Sequence, residues 1–292
     1  MKPDYYKNYS SLIRTSSSQV HQFIKKLGYK ENERLHFLLV EDSRRSNYSY
    51  SSSSNHKQTI ALQKPLKFME KLAPQITLLS KDNHPIHLLS QNARGYAVFM
   101  QINYRERKHS AFKDVRAQFI DVDLNKISKR LNTMEQVKRK IKSIKSNPLE
   151  EIQSITTKKN KHGQYQLLAH RSEQRVAQLK KEFLKKHWNQ IKDAMIVETK
   201  NGYHIYWVIK DGSIDKFVPI QKALAQKFNS DPMITDLSRV MRIPGFYHMK
   251  DPKRPFLVRV IGWGRKNRFT QDELIHTFAL QPYLSNCIGL AS

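Results

Sequence analysis

The sequence predicts an ordered protein that mixes α-helices with β-strands, and three observations lead to this fold class. Of the 292 residues, 39% are apolar and 10% are aromatic, which is enough for a hydrophobic core. Some segments repeat apolar residues at helical spacing, whereas others are short β-rich runs. Two of these runs are joined at Lys200-Asn201-Gly202, and Asn-Gly between β-rich runs is a strong hairpin signal.

Helices and strands alternate in the first part of the chain. The predicted elements are a helix over 20–28 closed by glycine, a strand over 34–41, a helix at about 66–72 and a strand over 97–102. Residues 1–17 show no clear periodicity, so we expect a flexible N-terminal segment. A Ser-rich block at about 43–57 is expected to be a flexible insertion, because it cannot bury enough apolar surface to become ordered.

The rest of the chain also contains both kinds of element. The predictions are strands over 118–124, 194–199, 203–209 and 256–261, helices over 217–228 and 271–278, and a tail over 281–292.

The charge of the chain indicates its partner. Fifty-two Lys and Arg against twenty-five Asp and Glu give a net charge of +27, which favours a polyanion over neutral metabolites. The single cysteine, Cys287, excludes an internal disulfide and a multi-cysteine zinc site, so we expect no structural zinc and a reducing compartment. No stretch approaches the roughly 20 apolar residues of a membrane span, and we expect a cytoplasmic protein with no membrane partner.

Much of the positive charge lies in one stretch. From Lys126 to Lys200 there are nineteen Lys or Arg and seven Asp or Glu, a net +12. Apolar residues at helical spacing predict two basic amphipathic helices around a mobile loop: Ile127, Leu131, Met134, Val137 and Ile141 in the first, and Val176, Leu179, Phe183 and Leu184 in the second. We expect cations of the first helix to bind the nucleic-acid backbone, namely Lys138, Arg139, Lys140 and Lys142. A solvated face without a ligand is the alternative.

Asp121 and Asp123 are the first candidate for chemistry. Residues two apart on a strand share a face, so both carboxylates project together while Ile120 and Val122 face the other side. Two adjacent carboxylates repel each other unless a cation lies between them, and hard oxygen ligands suit Mg²⁺ or Mn²⁺. A purely structural pair is the alternative.

His204 is the second candidate, because it lies just beyond the tight turn at Asn201-Gly202. Strand alternation places it with Tyr206 on one face, where its ring can reach a ligand. A lone histidine on a strand can equally be a packed or surface residue.

The third candidate is the segment from Asp236 to Lys250. Asp236 is followed by Arg239 and Arg242, then by a Pro-Gly turn and Lys250. Arginine suits bidentate recognition of phosphate oxygens, and lysine adds a compact charge. An acid paired with neighbouring arginines for stability is the alternative. Together, the three candidates describe a nucleotidyl-transfer site.

These motifs resemble those of a known family. The order FIDVDL, NGYHIYW and DLSRVMRIPGFYHMK resembles the archaeo-eukaryotic primase superfamily, specifically the RepB-like primases of plasmids, phages and integrated elements. The segments VHQFIKKLGY and LLSQNARGYAVFMQIN and the lead-in over 103–116 extend the likeness to roughly 18–270, and RVMRIPGF is the most specific match. The sequence departs from the family in two ways. It carries the Ser-rich and basic insertions, and Thr199-Lys200-Asn201 replaces a serine-containing turn before the histidine.

The resemblance implies an α+β fold, with an RRM-like antiparallel palm and flanking helices coupled to an N-terminal α/β unit. It implies one primase catalytic domain over 18–280, with a basic helical insertion at about 126–192. Asp121 and Asp123 would hold two divalent metals, Mg²⁺ or Mn²⁺, with Asp236 as the third carboxylate. His204 would contact the triphosphate of the incoming nucleotide, supported by Arg239, Arg242 and Lys250, with Thr199 as a further phosphate-binding candidate.

The implied activity is that of a DNA primase or primase-polymerase, a nucleotidyltransferase that makes primers on single-stranded DNA from nucleoside triphosphates. The sequence contains no Gly-x-x-x-x-Gly-Lys-Ser/Thr loop, so we expect a separate replicative helicase as a partner.

Two other classes of function stay open. A metal-dependent nuclease or replication-initiator endonuclease could use the same acids and basic surface, although a nicking enzyme would need two histidines flanking one apolar residue, and His84 and His87 have the wrong spacing. A non-catalytic origin-binding protein would need only the net charge of +27.

Overall fold

The computed structural model describes residues 9–30, 33–42, 64–65, 77–79, 85–103 and 115–281. Its α-helices are α1 (Tyr9–Lys26), α2 (Leu88–Ala93), α3 (Met134–Lys145), α4 (Glu173–Ile191), α5 (Ile214–Lys227) and α6 (Gln271–Thr277). The strands of the first part are β1 (Arg34–Leu35), β2 (Phe37–Glu41), β3 (Lys64–Pro65), β4 (Thr77–Leu79), β5 (Pro85–His87), β6 (Tyr96–Gln101) and β7 (Val115–Asp123). They are followed by β8 (Lys126–Leu131), β9 (Ile152–Lys159), β10 (Tyr165–Arg171), β11 (Met195–Thr199), β12 (Gly202–Gly212), β13 (Val240–Arg242), β14 (Tyr247–His248), β15 (Phe256–Leu257) and β16 (Arg259–Gly262).

A four-stranded antiparallel sheet, in the order β16-β11-β12-β7, forms the palm. Successive residues of its strands point to opposite faces, and both faces carry buried apolar residues. Ile205 and Trp207 point to one face and are buried in a core that includes Phe183 of α4 and Leu224 of α5. Helices thus cover that face, and the N-terminal part of the chain covers the other.

The second core joins the palm to the N-terminal unit. Phe119 and Tyr206 of the palm are buried with Phe23 of α1 and Met100 of β6. The N-terminal sheet has the order β13-β6-β2, so its third strand comes from a much later part of the chain. The predicted α+β class, with an antiparallel palm coupled to an N-terminal unit, is confirmed.

Residues 126–172, here called the insertion module, form a separate antiparallel sheet in the order β8-β10-β9, with α3 packed on one face. The module has a small core of its own, formed by Val137 and Ile144 of α3 and by Leu167 and Ala169 of β10. A capping box starts α3, because Thr133 accepts a hydrogen bond from the backbone N–H of Gln136.

The structure corrects the prediction of a helical insertion at 126–192. Helices α3 and α4 exist, but Ile127 and Leu131 lie on strand β8, and the predicted mobile loop is the β9–β10 hairpin. Residues four apart share a face on a strand as well as on a helix, so the spacing of Ile127 and Leu131 fits both. Helix α4 belongs to the palm, since its Phe183 stacks on Tyr203 of β12 at 5.9 Å.

The start of α1 is a second correction. Residues 9–17, predicted to be flexible, are helical, and the buried Ser16 lies against the turn at Gly245. A Cβ on Gly245, whose φ is +94°, would lie 2.7 Å from the Ser16 carbonyl oxygen, so small residues on both sides allow this close approach. The other predicted elements of the described chain are confirmed within a few residues. The helix at 66–72, the Ser-rich block at 43–57 and most of the tail at 281–292 lie outside the described residues.

No helix in the described residues is both long enough and apolar enough to span a membrane.

Candidate catalytic centre

Asp121 and Asp123 lie at the end of β7 on one face of the palm, as the alternation predicts. Both are partly exposed, whereas Ile120 and Val122 between and beside them are buried in the helix-covered core. Burial, together with the negative charges of Asp123 and Asp231, raises the pKa of Asp121 from 3.8 to about 7. The centre therefore concentrates negative charge in a chain that is otherwise strongly basic.

Asp123 is held by the residues that follow it. Its carboxylate accepts a hydrogen bond from the Asn125 backbone N–H at 3.0 Å and lies 2.8 Å from the Lys126 ammonium. Burial alone would lower the pKa of Lys126, but its bond to Asp123 and the charges of Asp121 and Asp231 raise it. The first residue of the insertion module thus neutralises one of the two carboxylates.

His204 pairs directly with Asp121 in the β12–β7 ladder, and its Nε2 lies 3.7 Å from the Asp121 Oδ1. The ring is buried, and its Nδ1 shares a hydrogen bond of 3.3 Å with the Tyr206 hydroxyl. Burial and then the positive charge of Arg242 lower the pKa of His204 to about 3. The imidazole is therefore neutral at physiological pH, and it also makes a hydrogen bond to the Arg242 backbone.

The turn before His204 lies one residue earlier than the Asn201-Gly202 turn that the sequence predicts. The two loop residues are Lys200 and Asn201, and Gly202 is the first residue of β12. A Cβ on Gly202 would lie 1.8 Å from the Val122 carbonyl oxygen, so glycine is required by the close approach of β7. Thr199 pairs with Gly202 and shares the face of Val197, which places it on the catalytic side of the sheet.

Two predicted arginines approach the centre from β13 and from the residue that precedes it. Arg242 of β13 binds the buried Asp42 carboxylate at 2.7 Å, and its guanidinium lies 4.7 Å from the centre of the Phe99 ring. Arg239 lies 3.8 Å from the Asp231 carboxylate. The pairing of β13 with β6 therefore positions the cations that the sequence placed near phosphate.

Lys250 and His248 extend this cationic side. Desolvation lowers the pKa of Lys250, Asp42 opposes that shift, and Arg242 adds to it. Burial, followed by the charge of Arg242, lowers the pKa of His248 to about 3. His248 is buried, and its Nδ1 has no hydrogen-bond partner.

The structure brings Asp231 beside the acidic pair in place of Asp236. The Asp231 backbone N–H donates to the Asp121 carbonyl oxygen at 3.1 Å, and the Asp231 charge contributes to the raised pKa of Asp121. Asp236 is exposed, and its carboxylate accepts hydrogen bonds from the Ser238 backbone N–H and hydroxyl at 2.8 and 2.6 Å.

Asp121, Asp123 and Asp231 are the candidate ligands for a divalent cation. Three carboxylates that repel one another provide the hard oxygen ligands that Mg²⁺ and Mn²⁺ prefer. Within the described ranges, however, no three His, Cys, Asp or Glu side chains are gathered closely enough to hold an ion. Lys126 and Arg239 instead lie against Asp123 and Asp231. The carboxylates have the chemistry that such an ion needs. The Lys126 and Arg239 side chains would have to move away for it to bind.

Sequence reasoning missed Asp231, Asp42, Lys126 and His248. Asp231 lies at the start of the motif-bearing segment, but only its backbone bond to β7 distinguishes it from Asp236. Asp42 follows the predicted strand β2, and nothing local indicates that it pairs with a residue two hundred positions away. His248 lies inside the quoted motif, where its burial could not be read from the sequence.

A family model described as the RepB DNA-primase N-terminal domain matches residues 110–281, more than half of the chain. None of the curated proteins compared matches this sequence.

Three solved structures are similar at low identity. The primase RepB′ is 12% identical with a TM-score of 0.48, covering 94% of this chain and 66% of its own, so the chain spans about two thirds of that protein. The catalytic domain of primase RepB′ in complex with initiator DNA is 13% identical, with a TM-score of 0.48 and coverages of 95% and 97%. The AEP domain of the cyanophage S-2L primase-polymerase is 10% identical, with a TM-score of 0.43 and coverages of 89% and 97%.

Proposed function

This chain belongs to the RepB DNA-primase family, and we propose that it is a DNA primase or primase-polymerase that makes primers on single-stranded DNA for replication of a mobile element. One observation carries the proposal: Asp121 lies beside Asp123 and Asp231, and the neutral His204, paired with it in register, lies beside Arg242. Negative groups for a cation and positive groups for phosphate thus meet on one sheet face.

The proposed reaction is nucleotidyl transfer. The 3′ hydroxyl of the primer, or of the first nucleotide, loses its proton to solvent. Its oxygen attacks the α-phosphorus of a nucleoside triphosphate, and a new P–O bond forms. The bond from that phosphorus to the bridging oxygen breaks, and pyrophosphate leaves with the bonding electrons. Two divalent cations, Mg²⁺ or Mn²⁺, held by Asp121, Asp123 and Asp231 would neutralise charge on the attacking and leaving oxygens.

The residues on the cationic side would bind the triphosphate. Arg242, fixed by Asp42, presents a planar guanidinium, and Lys250 adds a point charge. His204 can contribute a hydrogen bond, because the Tyr206 hydroxyl and the buried surroundings hold its ring in place. Arg239 would turn from Asp231 towards phosphate, and Thr199 is a further candidate on the same face.

We propose that residues 18–280 form one catalytic domain, because the N-terminal sheet is completed by β13 and shares a core with the palm. Unwinding of duplex DNA would come from a separate helicase.

Incorporation of labelled nucleotide on a single-stranded template, with Mg²⁺ or Mn²⁺ added, tests this function. Asp121→Ala and Asp123→Ala should each reduce synthesis by at least about 10²–10³-fold, because phosphoryl transfer depends on electrostatic stabilisation. Binding to single-stranded DNA should stay the same or become slightly tighter, since removing negative charge cannot weaken attraction to phosphate.

Asp272→Ala is the matched control, because Asp272 is exposed on α6 and pairs with Lys216 at 2.7 Å. Unchanged synthesis in both strand variants would remove the proposed centre. Degradation of the template in place of synthesis would identify the protein as a nuclease.

A further inference from the structure

The insertion module has one covered and one open sheet face. Helix α3 covers the face that carries Ile127, Ile155 and Leu167. The side chains on the other face form three rows across the strands: Lys126 with His170 and Ser154, Ser128 with Leu168 and Thr156, and Arg130 with Gln166 and Lys158. Seven of the nine are exposed, and Leu168 and His170 are partly buried.

The chemistry of this open face matches a polyanionic strand. It carries three cations and one histidine, and none of the nine residues is a carboxylate. The remaining positions are mostly hydroxyl or amide groups, which can bond to phosphate or sugar. Five residues along β8 and three strands across give a flat surface of about 13 by 10 Å.

The open face begins at the candidate catalytic centre. Lys126 occupies its first row, and the same ammonium lies 2.8 Å from the Asp123 carboxylate. The face is therefore continuous with the acidic pair. The outer side of α3, which carries Lys138 and Lys142, lies across the module from this face, because α3 packs on the opposite side of the sheet.

The base of the module is fixed to the palm. Arg171 donates from its backbone N–H to the Asn125 carbonyl oxygen at 2.8 Å and from its guanidinium to the Leu124 carbonyl oxygen at 2.8 Å. The Arg171 guanidinium also binds the Glu150 carboxylate at 2.6 Å. These bonds hold the two chain connections of the module together beside Asp123.

From these observations we propose that the open face of the β8-β10-β9 sheet is the track along which single-stranded nucleic acid reaches the catalytic centre. This inference rests on the proposed function. Cations at Arg130 and Lys158 contact the backbone in a sequence-independent way, and Leu168 contacts sugar or base. The sequence-predicted cations of α3 then add only distant electrostatic attraction.

Two double variants with the same loss of charge compare the faces. Arg130→Thr with Lys158→Thr alters the open face, and Lys138→Gln with Lys142→Gln alters α3. Binding of a fluorescent single-stranded oligonucleotide is measured by anisotropy over a range of salt concentrations. For the open-face pair we expect log K to fall less steeply with log salt, the slope being smaller in magnitude by roughly 1.4. If variant and parent bind equally at 1 M salt, this difference makes the variant about 25-fold weaker at 0.1 M.

For the α3 pair we expect less than half of that change in slope. An equal or larger effect of the α3 pair would overturn the inference, and so would a parent protein that does not bind single-stranded DNA. A parent that binds as described but incorporates no nucleotide would contradict the proposed function while leaving the track intact.

A thiol placed on each face provides a positional test that does not depend on affinity. Cys287 is the only cysteine, so Cys287→Ser gives a thiol-free background. Leu168→Cys and Ser143→Cys then place single thiols on the open face and on the exposed side of α3, respectively. DNA that carries a disulfide-activated thiol on a template base should be captured by the Leu168→Cys protein. Capture by the Ser143→Cys protein alone would place the strand on α3 and overturn the inference.

Discussion

Individual side chains in the centre are held by protein partners that compete with ligands. Lys126 contacts Asp123, Arg239 lies near Asp231, and Arg242 binds Asp42. In the first two contacts, a cationic side chain is paired with a carboxylate that would bind the metal ion. Binding of a metal ion and a triphosphate would therefore separate each pair. Arg242 differs, because its partner Asp42 is buried and holds the guanidinium in place.

The identity of the third carboxylate can be tested by one matched pair of variants. Asp231→Asn should reduce nucleotide incorporation by about 10²-fold or more, because it removes a carboxylate charge that lies close enough to Asp121 to raise its pKa. Asp236→Asn should retain activity within a few fold, because that carboxylate is exposed and bonded to Ser238. Mn²⁺ affinity, measured by calorimetry, should fall only in the first variant. The reverse ranking would restore the assignment that the sequence suggested.

The buried His248 predicts a dependence of stability on pH. Its pKa is lowered from 6.5 to about 3 in the folded protein, so the unfolded chain binds the proton more tightly. The contribution of His248 to stability is complete above pH 6.5 and is lost as the pH falls towards 3. His248→Asn should therefore reduce the loss of unfolding free energy between pH 7.5 and pH 5 by about 2 kcal/mol.

Urea denaturation at both pH values measures this effect. His162→Asn is the control, because His162 is exposed at the tip of the β9–β10 hairpin. Equal pH dependence in parent and His248→Asn would show that His248 does not resist protonation.

Among the elements, the β11–β12 hairpin is constrained by the close approach of β7 at Gly202. Gly202→Ala would force a methyl group against the Val122 carbonyl oxygen and should destabilise the protein by about 2–4 kcal/mol. Gly262→Ala in β16 of the same sheet is the control. Its added methyl would meet Ile196 at ordinary contact distances of 3.6–3.7 Å, so a change of about 0.5 kcal/mol is expected. Unfolding free energies measured by urea titration distinguish the two variants. Equal values would mean that β7 can shift away from the added methyl group.

The elements also show what a single sequence can and cannot predict. Strand β7 was predictable because Asp121 and Asp123 alternate with buried apolar residues, and a period of two has one interpretation. Strand β8 was not, because Ile127 and Leu131 fit a helix equally well and only pairing with β10 decides. The same limit applies to Asp231, whose role depends on a backbone bond to a residue far away in the chain.

In the part of the chain that the structure describes, two units share a core and a third is attached to them. The N-terminal sheet and the palm share a core, whereas the insertion module has its own. Replacing residues 126–170 by a short Gly-Ser linker should leave one cooperative unfolding transition and change its free energy by no more than about 2 kcal/mol. The ends can be joined, because Asn125 and Arg171 already share a hydrogen bond.

Circular dichroism during thermal unfolding, together with single-strand binding, tests this organisation. The shortened chain should fold but bind single-stranded DNA more weakly than the parent. A broad or absent transition would show that the module is part of the common core.

Strand β13 links the order of synthesis to the assembly of the candidate catalytic centre. Strands β2 and β6 leave the ribosome early, but the edge of β6 is completed only when Val240–Arg242 arrives. At roughly 5–20 residues per second, the intervening stretch takes on the order of ten seconds to make. During that interval β6 exposes unpaired backbone groups, and an exposed strand edge can pair with a neighbouring nascent chain. The strand that closes this edge also carries Arg242, so the nascent protein gains its proposed triphosphate contact at the same moment as its protection from aggregation.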